Sequence, residues 1–154
     1  MSLTYGLQTA RDLLEKLRRD AKLLDDEVSS DRFFNFVITG YSLIKWVEKD
    51  PSVPVSAKTK PEIDGLYKNH WLKVCGDIAN ASKHFTLDLK KRKPITSGAN
   101  VSTGWGCGRW GKGGWGVGEE QIDIVLNDGT AISGLNFITN VLKEWEQFFK
   151  KHNI

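Results

Sequence analysis

The stretch Asp77-Ile78-Ala79-Asn80-Ala81-Ser82-Lys83-His84 marks the point where the pattern of this chain changes from helix to strand. Before it, apolar residues from Ile63 to Ile78 recur at the spacing of one helix face. After it, apolar residues at 85, 87 and 89 alternate with polar ones, which is typical of a β-strand. The stretch therefore separates a helical part of the chain from a part that contains strands.

The residues before this point predict three helices, over about 3–28, 31–49 and 60–84. The third helix follows a capping-box pattern, Thr59-Lys60-Pro61-Glu62, with its proline in the first turn. The first helix has an uninterrupted seam of apolar residues at alternating spacings of four and three: Leu3, Leu7, Ala10, Leu14, Leu17, Ala21, Leu24 and Val28. Because this seam is longer than one small bundle needs, we expect a homodimer through the first helix.

The residues after His84 predict a β insertion over about 85–132 and a fourth helix over about 134–151. A second alternation at Ile122, Ile124 and Leu126 precedes a hairpin turn at 127–130, which reads Asn-Asp-Gly-Thr. The expected fold class is α+β and mainly α. It is a single domain, 1–154, in which a four-helix bundle carries a small antiparallel β-meander between helices 3 and 4.

The composition excludes several classes of protein. With 40% hydrophobic and 27% charged residues, the chain resembles a globular protein. The longest uncharged helical stretch, Phe33–Ile44, is only 12 residues, against roughly 20 for a membrane span. Two cysteines without a zinc motif indicate reduced thiols. We therefore expect a cytoplasmic protein with no metal, no cofactor and no membrane partner.

A tract rich in glycine and tryptophan, 104–118, lies between the predicted strands. Eight of its fifteen residues are glycine, and Trp105, Trp110 and Trp115 recur every five residues, a period that fits neither a helix nor one strand face. One interpretation is a ligand-binding loop, with rings for a flat ligand and Arg109 and Lys112 for anions. The alternative is an irregular loop whose tryptophans pack on their own domain or a sister subunit, with Trp105 against Trp115 if the tract folds back.

Positive charge is concentrated around this tract. Residues 85–118 contain six basic residues and one acidic residue, a net charge of +5, whereas the whole chain carries +3. The run Lys90, Lys91, Arg92 and Lys93 is therefore a candidate contact for RNA or DNA, and such binding would be non-specific and dependent on salt. The alternative for this run is a solvated strand end.

Three polar residues at the end of the third helix form a second candidate site. Asp77 and His84 point within about 20° of each other, and Asn80 lies about 60° away, at the edge of the apolar face. The set predicts a structural hydrogen-bond network, a ligand site that includes Lys83 and His84, or a catalytic site with His84 as general base. His70, Asp77 and His84 cannot share one metal ion, because each step of seven residues spans about 10.5 Å of helix.

The motif Asp77-x-x-Asn80-x-x-Lys83-His84 followed by a strand resembles one found in small uncharacterised bacterial and phage-encoded helical proteins. Their fold resembles the HEPN-like four-helix bundles of toxins and phage-defence systems. HEPN ribonucleases carry an arginine, four to six residues and then a histidine. The matching positions before the three histidines of this chain are 77–79, 63–65 and 145–147, and none is arginine. The resemblance therefore implies a non-catalytic member, or one that uses other groups.

Overall fold

The computed structural model describes residues 4–84, except for the side chain of His84, and residues 93–154. Within these residues the chain forms five α-helices, one short 3-10 turn and one antiparallel sheet. The helices are α1 (Ala10–Asp26), α2 (Ser30–Lys49), α3 (Lys60–Lys68), α4 (His70–His84) and α5 (Gly134–His152). The 3-10 turn is Val55–Lys58, and the strands are β1 (Thr96–Ser102), β2 (Gln121–Leu126) and β3 (Ala131–Ser133). The α+β class and its mainly helical content are confirmed, and the strand predicted at 85–89 lies outside the described residues.

The predicted third helix is two helices, α3 and α4, and the expected arrangement as a four-helix bundle is not confirmed. Asn69 leaves the helical conformation at φ −56° and ψ 131°. Its side-chain Oδ1 accepts hydrogen bonds from the backbone N–H groups of Trp71 and Leu72, at 3.0 and 3.2 Å. Asparagine is among the preferred N-cap residues because its side chain satisfies amides that have no helical partner. Asn69 therefore ends α3 and starts α4.

The helix starts differ from the predicted ones in two further places. A capping box between Thr9 and Asp12 begins α1 at Ala10, rather than near residue 3. At α3 the helix does begin after Thr59, but the Thr59 side chain makes no capping hydrogen bond. The predicted capping box is wrong because Glu62 instead pairs with the last turn of α5, through Lys151 Nζ at 2.7 Å and His152 Nε2 at 3.0 Å.

The apolar seam of α1 is buried within a single chain. Five of its residues are at most 4% exposed: Ala10, Leu14, Leu17, Leu24 and Val28. They belong to one core in which α1 packs against α2 and α5. Packing within one chain therefore accounts for the length of the seam. The seam is no longer an argument for the predicted homodimer.

The sheet has the strand order β1-β2-β3. The alternation predicted for β2 is confirmed, because Ile122, Ile124 and Leu126 are buried and β2 packs against α5. The predicted hairpin turn is confirmed as well: Gly129 has φ +84°, and its N–H donates to Leu126 O at 3.0 Å. β1 was not predicted, and all its residues after Thr96 are exposed. The sheet therefore has one side in the core and one strand that extends away from it.

The helices of the described residues do not reach the length and apolarity that a bilayer crossing requires.

Candidate functional site

The glycine and tryptophan tract folds into three consecutive β-turns, which we call the tryptophan loop (104–118). Each turn is closed by a backbone hydrogen bond from the fourth residue to the first: Cys107 to Gly104 at 3.1 Å, Lys112 to Arg109 at 3.3 Å and Val117 to Gly114 at 3.1 Å. A tryptophan is the second residue of every turn. The third is a glycine with positive φ: Gly106 (84°), Gly111 (74°) and Gly116 (78°). A positive φ at the third position is the requirement of a type II turn, so the period of five is a repeat of turns.

The three tryptophan rings extend into solvent. Trp105, Trp110 and Trp115 are 94%, 98% and 104% exposed relative to a fully accessible residue. In the part of the chain that the structure describes, the aromatic contacts involve other rings only. The contact between Trp105 and Trp115 that one alternative allowed does not form within the described residues, and the rings do not pack on their own domain. The turns therefore present three separate apolar side chains.

The tryptophan loop is fastened to the helical body by a buried carboxylate, Glu119, directly after the tract. Its side chain is 1% exposed. It accepts hydrogen bonds from Val28 N at 2.8 Å, Arg109 N at 2.8 Å, Arg109 Nε at 2.7 Å and Arg109 Nη2 at 3.1 Å. The neighbouring Glu120 accepts from the backbone and hydroxyl of Ser30. Both the middle and the end of the loop are thus held at the connection between α1 and α2.

Arg109 is engaged in this anchor, and its predicted role as an anion ligand stays a prediction. Besides Glu119, its guanidinium contacts Leu24 O at 3.0 Å and Asp25 Oδ1 at 3.3 Å. The hydrogen bond that Arg109 donates to Glu119 raises the pKa of Arg109. Burial raises the pKa of Glu119, but hydrogen bonds from Arg109 and from two backbone amides outweigh burial and leave that pKa below its ordinary value. Both groups are therefore charged at neutral pH and hold each other in place.

Lys112, unlike Arg109, is not part of the anchor. It is half-buried in the second turn, and among the ion pairs of residues 4–84 and 93–154 none includes it. Lys112 is therefore the cation of the tryptophan loop that can meet a ligand.

Two glycines of the loop are required by close contacts as well as by conformation. At Gly108 (φ +69°), an added Cβ would lie 2.6 Å from Glu119 Cγ. At Gly113 (φ +81°), it would lie 2.2 Å from the backbone carbon of Gly118. Real Cβ atoms do not approach other atoms so closely, and a positive φ already disfavours other residues. These two glycines therefore allow the loop to pack closely against Glu119 and against its own backbone.

The polar residues of α4 are only partly brought together. Asp77 is 1% exposed, and its Oδ2 accepts from the backbone N–H groups of Ile95 at 2.7 Å and Thr96 at 3.1 Å. It fastens the start of β1 onto α4, which favours the structural interpretation of this residue. Asn80 is half-buried and Lys83 is exposed. The side chain of His84 lies outside the described residues, so its predicted roles in binding and catalysis stay predictions.

Lys93 and the tryptophan loop lie at opposite ends of β1. Lys93 is exposed and precedes the strand, whereas Lys90, Lys91 and Arg92 lie outside the described residues. The seven residues of β1 span about 23 Å at roughly 3.3 Å per residue. Any ligand that contacts both Lys93 and the tryptophan loop must therefore extend along this strand.

Other features of the described residues give weaker indications of a functional site than the tryptophan loop does. A cavity of about 220 Å³ between α1 and α5 is lined by Arg11, Leu14, Glu15, Arg18, Glu146, Phe149, Lys150 and Ile154. It contains none of the predicted site residues. Within residues 4–84 and 93–154, no group of histidine, cysteine or acidic residues has the arrangement of a metal site. Both cysteines are unpaired, as predicted, and burial raises the pKa of the Cys75 thiol.

No protein-family model, no curated protein and no solved structure matches this chain. The resemblance to HEPN-like bundles therefore stays an expectation from the residues of α4.

Proposed function

We propose that the protein is a non-catalytic binding protein and that the tryptophan loop is its binding surface. The observation that carries this proposal is the exposure of Trp105, Trp110 and Trp115 on three turns of one anchored loop. A tryptophan offers roughly 150–250 Å² of contact area. Burying one against a partner is worth about 4–6 kcal/mol before the costs of association, at about 25 cal/mol per Å². Three such rings are sufficient for a strong binding site.

The anchor supports the same proposal. Glycine is the residue that loses the most conformational freedom on ordering, so a loop with eight glycines would lose much of its binding energy if it were disordered beforehand. The ion pair between the buried Glu119 and the half-buried Arg109 fixes the loop before any partner arrives. Preorganisation of this kind is a general route to affinity. The resemblance of the α4 motif to HEPN-like proteins implies a role in a toxin or phage-defence system. We include that role in the proposal.

The proposal is tested by replacing Trp105, Trp110 and Trp115 together by serine. Because the rings are exposed, we expect this variant to melt within about 2–4 °C of the wild type, as surface changes usually do. Tryptophan fluorescence and NMR titrations would then be run against single-stranded RNA, single-stranded DNA, lipid vesicles, polysaccharides and a peptide library. We expect at least one class to bind the wild type and not the triple variant.

A matched control is Tyr5→Ser, which removes a 102% exposed aromatic residue outside the loop. It should bind as the wild type does. A ligand that binds equally to the triple variant, or the absence of binding in every class, would contradict the proposed function.

A further inference from the structure

We infer that the partner of the tryptophan loop is single-stranded nucleic acid, bound without base preference. This inference rests on the proposed function above and names the ligand class of the same surface.

The tandem repeat of turns favours a ligand that is itself a repeating polymer. Every turn supplies the same two groups: an exposed indole from its second residue and a backbone N–H from its third. Within the described residues, the N–H groups of Gly106, Gly111 and Gly116 donate no backbone hydrogen bond. Consecutive glycine-rich turns present such amides as donors for anions, including phosphate. A ring beside a donor, repeated three times, matches a base beside a phosphate.

The side chains of the loop favour nucleic acid over the other common polymer with flat faces, polysaccharide. Residues 104–118 contain no aspartate, glutamate, asparagine or glutamine, which are side chains able to bind pairs of sugar hydroxyls. The carboxylates that adjoin the loop are engaged: Glu119 and Asp25 with Arg109, and Glu120 with Ser30. Stacking and charge are thus the available modes of recognition. Stacking on tryptophan tolerates any base, because every base has a flat face.

Two lysines of the described residues have the charge that a polyanion requires. Lys112 lies within the loop, and Lys93 lies exposed at the far end of β1. β1 itself, Thr-Ser-Gly-Ala-Asn-Val-Ser, has no charged residue and is exposed after Thr96. A single strand can therefore run from the tryptophan loop along β1 towards Lys93, over about 23 Å.

The test uses the full-length protein with fluorescently labelled oligomers of twelve thymidines and twelve uridines. This length falls within the range of about 4–16 nucleotides that small single-strand binding domains cover. We expect both oligomers to bind with similar affinity at low salt. Each single change, Trp105→Ser, Trp110→Ser or Trp115→Ser, should weaken binding by roughly 5- to 150-fold, the effect of losing one stacked base. Tyr5→Ser should change nothing.

Two further measurements test which parts of the nucleic acid the loop contacts. Lys112→Gln should lower the slope of log affinity against log salt by about 0.7, the value for one phosphate contact on a single strand. A blunt duplex of the same length should bind much more weakly, because its bases are not accessible to the rings. Circular dichroism melts would verify that each variant is folded.

Several outcomes would overturn the inference. If neither oligomer binds at low salt, or if binding survives loss of all three rings, nucleic acid is not the ligand of this loop. If vesicles or peptides bind instead and require the rings, the inference fails while the proposed function stands. If no ligand class requires the rings, both fail.

Discussion

At the scale of single residues, Glu119 contributes most to the position of the tryptophan loop, because it accepts four hydrogen bonds inside the protein. Glu119→Gln keeps the shape of the side chain and removes its charge. We expect the free energy of unfolding to fall by about 1.5–3 kcal/mol, the range for hydrogen bonds to charged groups. Denaturation with urea measures it. The control Glu120→Gln should cost less than about 1 kcal/mol, since the contact of Glu120 with Ser30 is exposed.

The same carboxylate predicts how stability depends on pH. The pKa of Glu119 in the folded protein lies below its ordinary value of 4.5. A group whose pKa is depressed by folding stabilises the protein above its ordinary pKa and loses that contribution as pH falls through the folded value. We therefore expect a constant contribution from about pH 7 to 5 and a decline below about pH 4.5. Thermal melts across this range should show a smaller acid-induced decrease for Glu119→Gln than for the wild type.

Two glycines of the loop provide a matched pair of substitutions. Gly113 and Gly116 both have positive φ, but an added Cβ has open space at Gly116 and a 2.2 Å clash at Gly113. Gly116→Ala should cost about 1–2 kcal/mol, the conformational penalty alone. Gly113→Ala should cost more and should increase amide hydrogen exchange throughout 108–119. Equal effects of the two changes would show that the close contact with Gly118 does not hold the loop.

At the scale of elements, Asn69 decides where one helix becomes two. Asn69→Ala removes the cap of α4, and we expect a loss of about 0.5–2 kcal/mol in the free energy of unfolding. The side-chain Nδ2 of Asn69 also donates to Glu144 at 2.8 Å. The variant Glu144→Ala, which removes the acceptor, therefore serves as the control for that second contact. If Asn69→Ala is no less stable than Glu144→Ala, the cap contributes nothing measurable.

Elements with a clear apolar period could be predicted from the sequence, and elements without one could not. The helices α2 and α5 and the hairpin of β2 and β3 follow the predicted ranges closely, because burial of one face imposes the period. The break at Asn69 was missed because the apolar period continues across it. β1 was missed because an exposed strand needs no apolar period.

The candidate site also has a part that could be predicted from the sequence and a part that could not. The three tryptophans were recognisable from their composition and spacing alone. Glu119 was not, since Val28 is 91 residues away and no residue period relates Glu119 to Arg109, which is 10 residues away. A single arginine within a glycine tract that is followed by a glutamate is the signal that was available.

At the scale of the whole molecule, the buried seam of α1 predicts how the chain responds to charge in its core. Leu14 and Leu17 are 3% and 0% exposed. Changing both to glutamate buries two unpaired charges, so we expect the chain to lose its cooperative unfolding transition rather than to become a folded monomer. Circular dichroism and sedimentation velocity measure this. A folded variant that sediments as half the mass of the wild type would instead establish a dimer through α1.

The tandem turns also have a consequence for how such a loop can be lengthened. The unit of the repeat is five residues, and the helical body contacts the loop through Arg109 and Glu119 rather than through the turn tips. One more unit inserted between Lys112 and Gly113 would add one ring and one amide without altering any core residue. The number of exposed rings on this surface can therefore increase by one for every five residues added, by duplication of a short stretch of the chain.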